Sequence, residues 1–396
     1  MKTISFFIRL SILSLFVLVS GLASNTLATD VLVSDVEQLY AAVNDPANVG
    51  TKVFLFRGTY FLSANDPNGV PRPNGGRLEL QEDMSLIGIT CYRTSLVGIA
   101  GDRSAVVIDA INLPDSSFTG SAIPLGAIRV GRGSNSIECL TVRNSRGLAN
   151  ITTGLLYEGT PHIRIANIDS SRSGYGVALS NHGPSFSGKT LEVDIVNCDL
   201  HSNIRGMMGG FRIGNFAGAV GSVVNARLYG NRIYDNQLSL FVNNGPVNST
   251  INAFSSGNRF FNNGVGLGVF GGLNANGNTT NFESHGDRYE DNTGPSNFDK
   301  GGLVFSGGES TSTTQANVAN NNTVNASLWG ARFSGNQLSD LAGFGGRSFF
   351  STTLNPGENN HVTIFLHGMG QQPIVEFFAD VLPANPATTN TVTVIR

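Results

Sequence analysis

The sequence predicts an all-β solenoid, short strands wound in one direction and stacked in parallel, coil on coil. Three observations predict it. A block recurs without reversal: residues 224–236 read VNARLYGNRIYDN, 251–263 INAFSSGNRFFNN, 280–292 TNFESHGDRYEDN and 324–336 VNASLWGARFSGN. Each block alternates apolar and polar residues with period two, the mark of a strand with one buried face. Each is broken by Gly-Asn or a similar pair, residues that tolerate left-handed backbone angles. Fainter copies precede them at 191–203, 163–173 and 140–147. A second short strand follows the blocks: GVALS at 176–180, GFRIG at 210–214, LSLFV at 238–242, GLGVF at 266–270 and GLVFS at 302–306. A sandwich or propeller would reverse its strands in hairpins. Here the same order repeats, so like stacks on like, with equivalent residues in columns about 4.8 Å apart. Unequal repeat lengths fit loops inserted at one corner of the coil.

The elements follow in chain order. Lys2 and Arg9 precede an apolar run, Leu10 to Leu22, and then small residues. This reads as a secretory signal over 1–28, with cleavage after Ala23 or Ala28. The run is too short for a membrane anchor. Residues 29–396 are expected to form one domain. Ser34-Asp35-Val36-Glu37 is a helix-capping box, and Val36, Leu39, Tyr40 and Val43 share a helical face. A helix over 34–44 would cap the open end of the stack. KVFLFRGTYFL at 52–62, RLEL at 77–80 and MSLIGI at 84–89 supply the first coils. Coils are expected over 52–345, and further coils and a tail over 346–396.

Composition narrows the function. The chain has 396 residues, 40% hydrophobic, 13% charged, with 49 glycines and a formal charge of −3. Disordered chains are more charged and poorer in aliphatics. Long helical proteins are rich in Lys, Glu and Ala. A nucleic-acid binder would be basic. Removing Lys2 and Arg9 with the signal leaves 23 basic against 28 acidic residues, or −5. The remaining lysines are Lys52, Lys189 and Lys300, so basic groups are mostly arginines. Cys91, Cys139 and Cys198 are odd in number and widely spaced, and are expected to be buried without chemistry. Asn-x-Ser/Thr sequons fall at Asn150, Asn248, Asn278, Asn321 and Asn325.

These blocks, the cap and the first strands resemble the right-handed parallel β-helix proteins of the pectin-lyase-like superfamily over most of the mature chain. The resemblance implies an exported, carbohydrate-active or carbohydrate-binding protein, secreted, periplasmic or at the cell surface. The competing class is a non-catalytic surface or matrix scaffold. The resemblance also implies a substrate face along one strand column, acids one or two coils apart if the protein is a hydrolase, and calcium if it is a lyase. No cofactor is otherwise evident. A monomer binding polysaccharide or surface glycan, without nucleic acid or a membrane span, is the expected state.

The chemistry is less legible. With Val177, Leu179, Phe211, Ile213, Leu240, Val242, Leu267, Val269, Leu303 and Phe305 taken as inward, the outward positions of the second strand hold no acid. Arg212 is their only charge. Phe241 and Phe270 then lie outward, placed either to stack on sugar rings or to pack under a loop. The position after the Gly-Asn turn reads Arg146, Asp169, Asp199, Arg232, Arg259, Arg288 and Arg332, one column if the register holds. Such guanidiniums either pair locally along the surface or bind carboxylate or sulfate groups of a polyanion. His182, Asp194, Asp199, His201, Arg205 and Arg212 hold acid, base and cation types within about one and a half coils, as acid–base catalysis requires. Asn203, Asn236, Asn263, Asn292 and Asn336 are expected to form one amide ladder, and Asn167, Asn197, Asn231 and Asn258 another.

Overall fold

The computed structural model describes residues 30–90, 102–114, 126–204, 209–293, 301–310, 319–348, 357–369, 373, 375–381 and 389–396. Side chains are described for these except 154–159, 348 and 375–381. The signal segment and Arg205 lie outside the described residues.

One coil shows how the sequence folds. Val223–Tyr229 is extended, with Val224, Ala226 and Leu228 buried and polar neighbours outward. Gly230 then takes φ 62, and the chain turns into the three-residue strand Arg232–Tyr234. Asp235 takes φ 55 and starts the second turn, which leads into Leu238–Asn244. The same two left-handed corners recur. Gly257, Gly286 and Gly330 occupy the first, and Asn262, Asp291 and Gly335 the second. A side chain is strained at such angles unless it is Gly, Asn or Asp, so these residue types set where each coil bends.

Coils repeat this unit in three stacks. The leading stack contains Thr190–Val196, Val223–Tyr229, Thr250–Ser256, Thr279–His285, Thr323–Trp329, His361–His367 and Thr391–Ile395. The short stack is a nine-stranded sheet that includes Asp199–His201, Arg232–Tyr234, Arg259–Phe261, Arg288–Glu290 and Arg332–Ser334. The trailing stack contains Tyr175–Asn181, Phe211–Phe216, Leu238–Asn244, Val265–Leu273, Gly301–Ser310 and Ser339–Ser348. Every strand pairing is parallel to the equivalent strand of the next coil, which defines the parallel β-helix the sequence predicted.

Columns of aliphatic and aromatic residues fill the interior. Phe260, Tyr289 and Phe333 stack at 5.1 Å between ring centres. Phe211 meets Phe241 at 5.1 Å, and Phe241 meets Phe282 at 6.1 Å. The helix, α1 (Val36–Asn44), closes the N-terminal end by burying Leu39, Tyr40 and Val43. Its cap is Asp35, whose Oδ1 accepts from the Gln38 amide at 2.9 Å, while Gln38 Oε1 accepts from the Ser34 amide at 2.9 Å. The box therefore runs through Asp35 and Gln38, one residue later than expected, and Glu37 instead pairs with Arg72.

The ladder from Asn203 to Asn336 forms as expected. Asn203, Asn236, Asn263, Asn292 and Asn336 each accept from the backbone or amide of the preceding coil. Their own amides donate to strand carbonyls, as Asn263 Nδ2 does to Ile233 O at 2.9 Å. The ladder expected from Asn167 to Asn258 differs. Asn167 and Asn197 occupy the left-handed corner that Gly230 takes, with φ 51 and 52. The buried column beside that corner is Cys198, Asn231, Asn258 and Asp287. A third ladder, Asn278–Asn322–Asn360–Asn390, supports the far corner.

Of the cysteines, Cys198 is buried and free as expected, Cys139 departs from expectation, and Cys91 lies outside the described residues. Cys139 is disulfide-bonded. Cys198 is free and buried, and burial pushes its thiol up to about 12.

Asn263 is fully buried and its side chain satisfies two backbone groups of the preceding coil, so Asn263→Ala orphans an amide and a carbonyl at about 1–3 kcal/mol each. Asn252, exposed on the leading stack, orphans none. Urea unfolding should place Asn263→Ala about 2–5 kcal/mol below the parent and Asn252→Ala within about 0.5 kcal/mol of it. Equal losses would contradict the ladder's role.

Candidate functional site

The short stack presents two outward columns. In the first, Asp169, Asp199, Arg232, Arg259, Arg288 and Arg332 are direct register partners. Arg146 is not among them; Thr141 pairs with Asp169. Arg146 lies beyond the left-handed Asn144, so it has already turned the second corner. The other column stacks rings, His201 on Tyr234 at 4.7 Å and Tyr234 on Phe261 at 4.8 Å. The arginines lie over them, Arg232 at 5.3 Å from the Tyr234 ring centre and Arg259 at 4.3 Å from that of Phe261.

Charge is not even along the column. Asp199 binds Arg103 and lies 3.6 Å from Arg232. Asp169 accepts from His201 at 3.1 Å, and Arg259 pairs with Glu290 at 2.5 Å. Among the described residues, Arg288 and Arg332 have no carboxylate within ion-pair distance. Both line a depression of about 470 Å³ that also holds Glu290, Ser334 and Gly368. The acid end is internally neutralised and the other end is cationic.

The acid–base candidates separate onto three faces. Asp199 and His201 belong to the short stack. Asp194 faces outward on the leading stack, held by His162 at 2.8 Å and Arg227 at 2.7 Å. His182 and Arg212 belong to the trailing side. Arg212 lies 3.9 Å over Phe216 and 5.6 Å over Tyr175, and burial lowers its pKa. His182 stacks on Phe216, and its pKa is lowered by burial and by Arg212.

The trailing stack corrects the expected orientation of one ring. Phe241 pairs with Ile213 and Val269 and lies in the core, fully buried. Leu240 and Val242 face outward instead, in a second apolar cluster with Phe216, Phe270, Val304 and Phe344. Phe270 is outward as expected but only 5% exposed, so its face is not open to a sugar. Both sides of this strand are buried, so LSLFV carries no alternation from which to read direction. A register shift between Leu238 and Leu240 completes the displacement.

A further pair has no local signal in the sequence. Arg347 binds Glu309 at 2.6 Å, with side chains 7% and 1% exposed. Burial raises the Glu309 carboxyl and lowers Arg347. The aromatic-Gly steps Tyr229-Gly230, His285-Gly286, Trp329-Gly330 and His367-Gly368 are legible in the sequence. They mark an outward ring at the end of four of the leading strands, while Thr250–Ser256 ends in a serine. Among the described residues, no group of three or more His, Cys, Asp or Glu is placed to hold a metal ion. No helix among them is long and apolar enough to cross a membrane. The sequons Asn150 and Asn278 are buried within hydrogen-bond networks.

Three parallel stacks, a capped end and a cationic column define a parallel β-helix protein with a candidate anion-binding face. No protein-family model and no curated protein matches the chain. Solved structures with similar winding include two mannuronan C-5 epimerase A-modules from Azotobacter vinelandii. The AlgE4 module gives a TM-score of 0.39 at 16% identity, covering 93% of this chain and 98% of that one. The AlgE6 module gives 0.37 at 17%, covering 90% and 97%. The PL6 family alginate lyase AlyGC gives 0.22 at 9%, covering 93% and 75%.

Removing one partner of a buried ion pair strands the other charge, at about 3–5 kcal/mol. Arg347→Met should therefore lower stability by about that much, and adding Glu309→Gln should recover most of it. A double variant no more stable than Arg347→Met in urea unfolding would refute the pairing.

Proposed function

We propose that the chain is an exported polysaccharide-binding β-helix whose arginine column takes acidic sugar polymers. The observation that carries this reading is the pair Arg288 and Arg332, one coil apart in an open depression with no carboxylate partner among the described residues. Guanidiniums carried by adjacent strands, whose backbones lie about 4.8 Å apart, repel one another. A polymer bearing carboxylates or sulfates relieves that repulsion and forms bidentate hydrogen bonds. The rings of Tyr234 and Phe261 beside the column offer apolar faces for sugar rings. The disulfide at Cys139 and the apolar N-terminus support export to an oxidising compartment. The reading is one of binding, because the described acid–base candidates lie on three different faces.

Arg288→Ala/Arg332→Ala should elute earlier than the parent from immobilised polygalacturonate, with affinity at least about tenfold weaker. Parent retention should fall as salt rises. Unchanged retention of the double variant would refute the reading.

A further inference from the structure

The leading stack carries a second surface, unlike the arginine column. Its outward residues form columns across the strands. One is Glu192, Asn225, Asn252, Asn281 and Asn325, register partners in successive coils. The amides are bonded head to tail. Asn225 Nδ2 donates to Glu192 Oε1 at 2.6 Å, Asn252 Nδ2 to Asn225 Oδ1 at 2.9 Å, Asn281 Nδ2 to Asn252 Oδ1 at 2.9 Å, and Asn325 Nδ2 to Asn281 Oδ1 at 3.0 Å. A carboxamide has two N–H donors and an oxygen with two lone pairs. The ladder uses one of each, so each coil keeps a donor and an acceptor for a ligand, repeated every ~4.8 Å.

This column is the floor of a groove of about 580 Å³ that crosses the strands, with Phe254 and Phe365 among its lining. Beside it the rings continue as a stripe. Tyr229 meets Phe254 at 5.6 Å, Phe254 meets His285 at 5.2 Å, His285 meets Trp329 at 5.9 Å and Trp329 meets His367 at 3.8 Å. Trp329 is 44% exposed and Tyr229 38% exposed. Paired donors and acceptors beside aromatic faces are the chemistry that recognises hydroxylated rings. Charge decides which rings. Glu192 and Glu283 line the groove, and its one lining cation, Arg227, is already held by Asp194. A polyanion is disfavoured here.

We infer that this groove is a second carbohydrate site, for an extended, uncharged glycan lying along the solenoid axis. The floor spans four coil steps, ~19 Å, enough for a run of several sugar units. One pair of hydrogen-bonding groups per coil meets a ligand that repeats as regularly as the coils do.

Trp329 is the only tryptophan in the chain and reports on the stripe directly. The full chain is titrated with cellohexaose, xylohexaose and mannohexaose while its emission is followed, with hexagalacturonate as the acidic comparison. At least one neutral hexasaccharide should shift the emission saturably, and more tightly than hexagalacturonate. Phe254→Ala and Asn281→Ala, each checked for parental circular dichroism, should each weaken that titration by about tenfold. Asn281→Gln, which keeps the amide, should fall between parent and Asn281→Ala. The proposal is overturned if no neutral hexasaccharide shifts the emission up to millimolar concentration. It is also overturned if hexagalacturonate binds tighter than all three, or if both alanine variants titrate like the parent.

Discussion

Every coil must turn sharply, and each turn leaves backbone amides and carbonyls that water cannot reach. The structure depends on how those groups are satisfied. Left-handed residues make the corners, and a buried carboxamide in the next coil accepts the stranded amide. The Asn203 to Asn336 ladder does this five coils running. Buried polar groups without partners cost more than most contacts return, so this arrangement fixes the register between coils. Asp287 continues the other ladder with a carboxyl, accepting from the Asn258 amide at 2.7 Å and the Ser284 hydroxyl at 2.7 Å. Burial raises its pKa.

Fixed register is what turns single residues into surfaces. Arg232, Arg259, Arg288 and Arg332 are far apart in sequence and form one line only because each follows the same corner by the same step. The two proposed sites arise from this rule with opposite chemistry. On the short stack the repeated residue is a cation beside stacked rings. On the leading stack it is a neutral amide between carboxylates and rings. One tight corner separates the two stacks in every coil, so a chain with few charges still presents two distinct binding chemistries.

Much of this was legible where one strand face is wet. VNARLYGNRIYDN displays its inward and outward residues by alternation, and the arginine column and the Asn203 to Asn336 ladder follow from it. The trailing strands are buried on both sides, so Phe241 could not be oriented from LSLFV. Asn197 looked equivalent to Asn231 because both are asparagines near a turn. One serves as the left-handed corner and the other as the buried amide, a distinction made by a one-residue offset. The stripe on the leading stack makes no repeat in the sequence because its rings differ in type and Ser256 interrupts it. The Glu309–Arg347 pair joins residues 38 positions apart, beyond the reach of any local pattern.

The ladder has a consequence for how such a molecule can change. Asn225, Asn252 and Asn281 recur after 27 and 29 residues, and each coil touches chiefly the coils above and below it. Duplicating one coil would lengthen both surfaces by a single step and leave every other contact as it was. The protein is a ruler whose graduations are set by backbone hydrogen bonding, and its reach along a polymer can be adjusted by whole graduations without redesigning either edge.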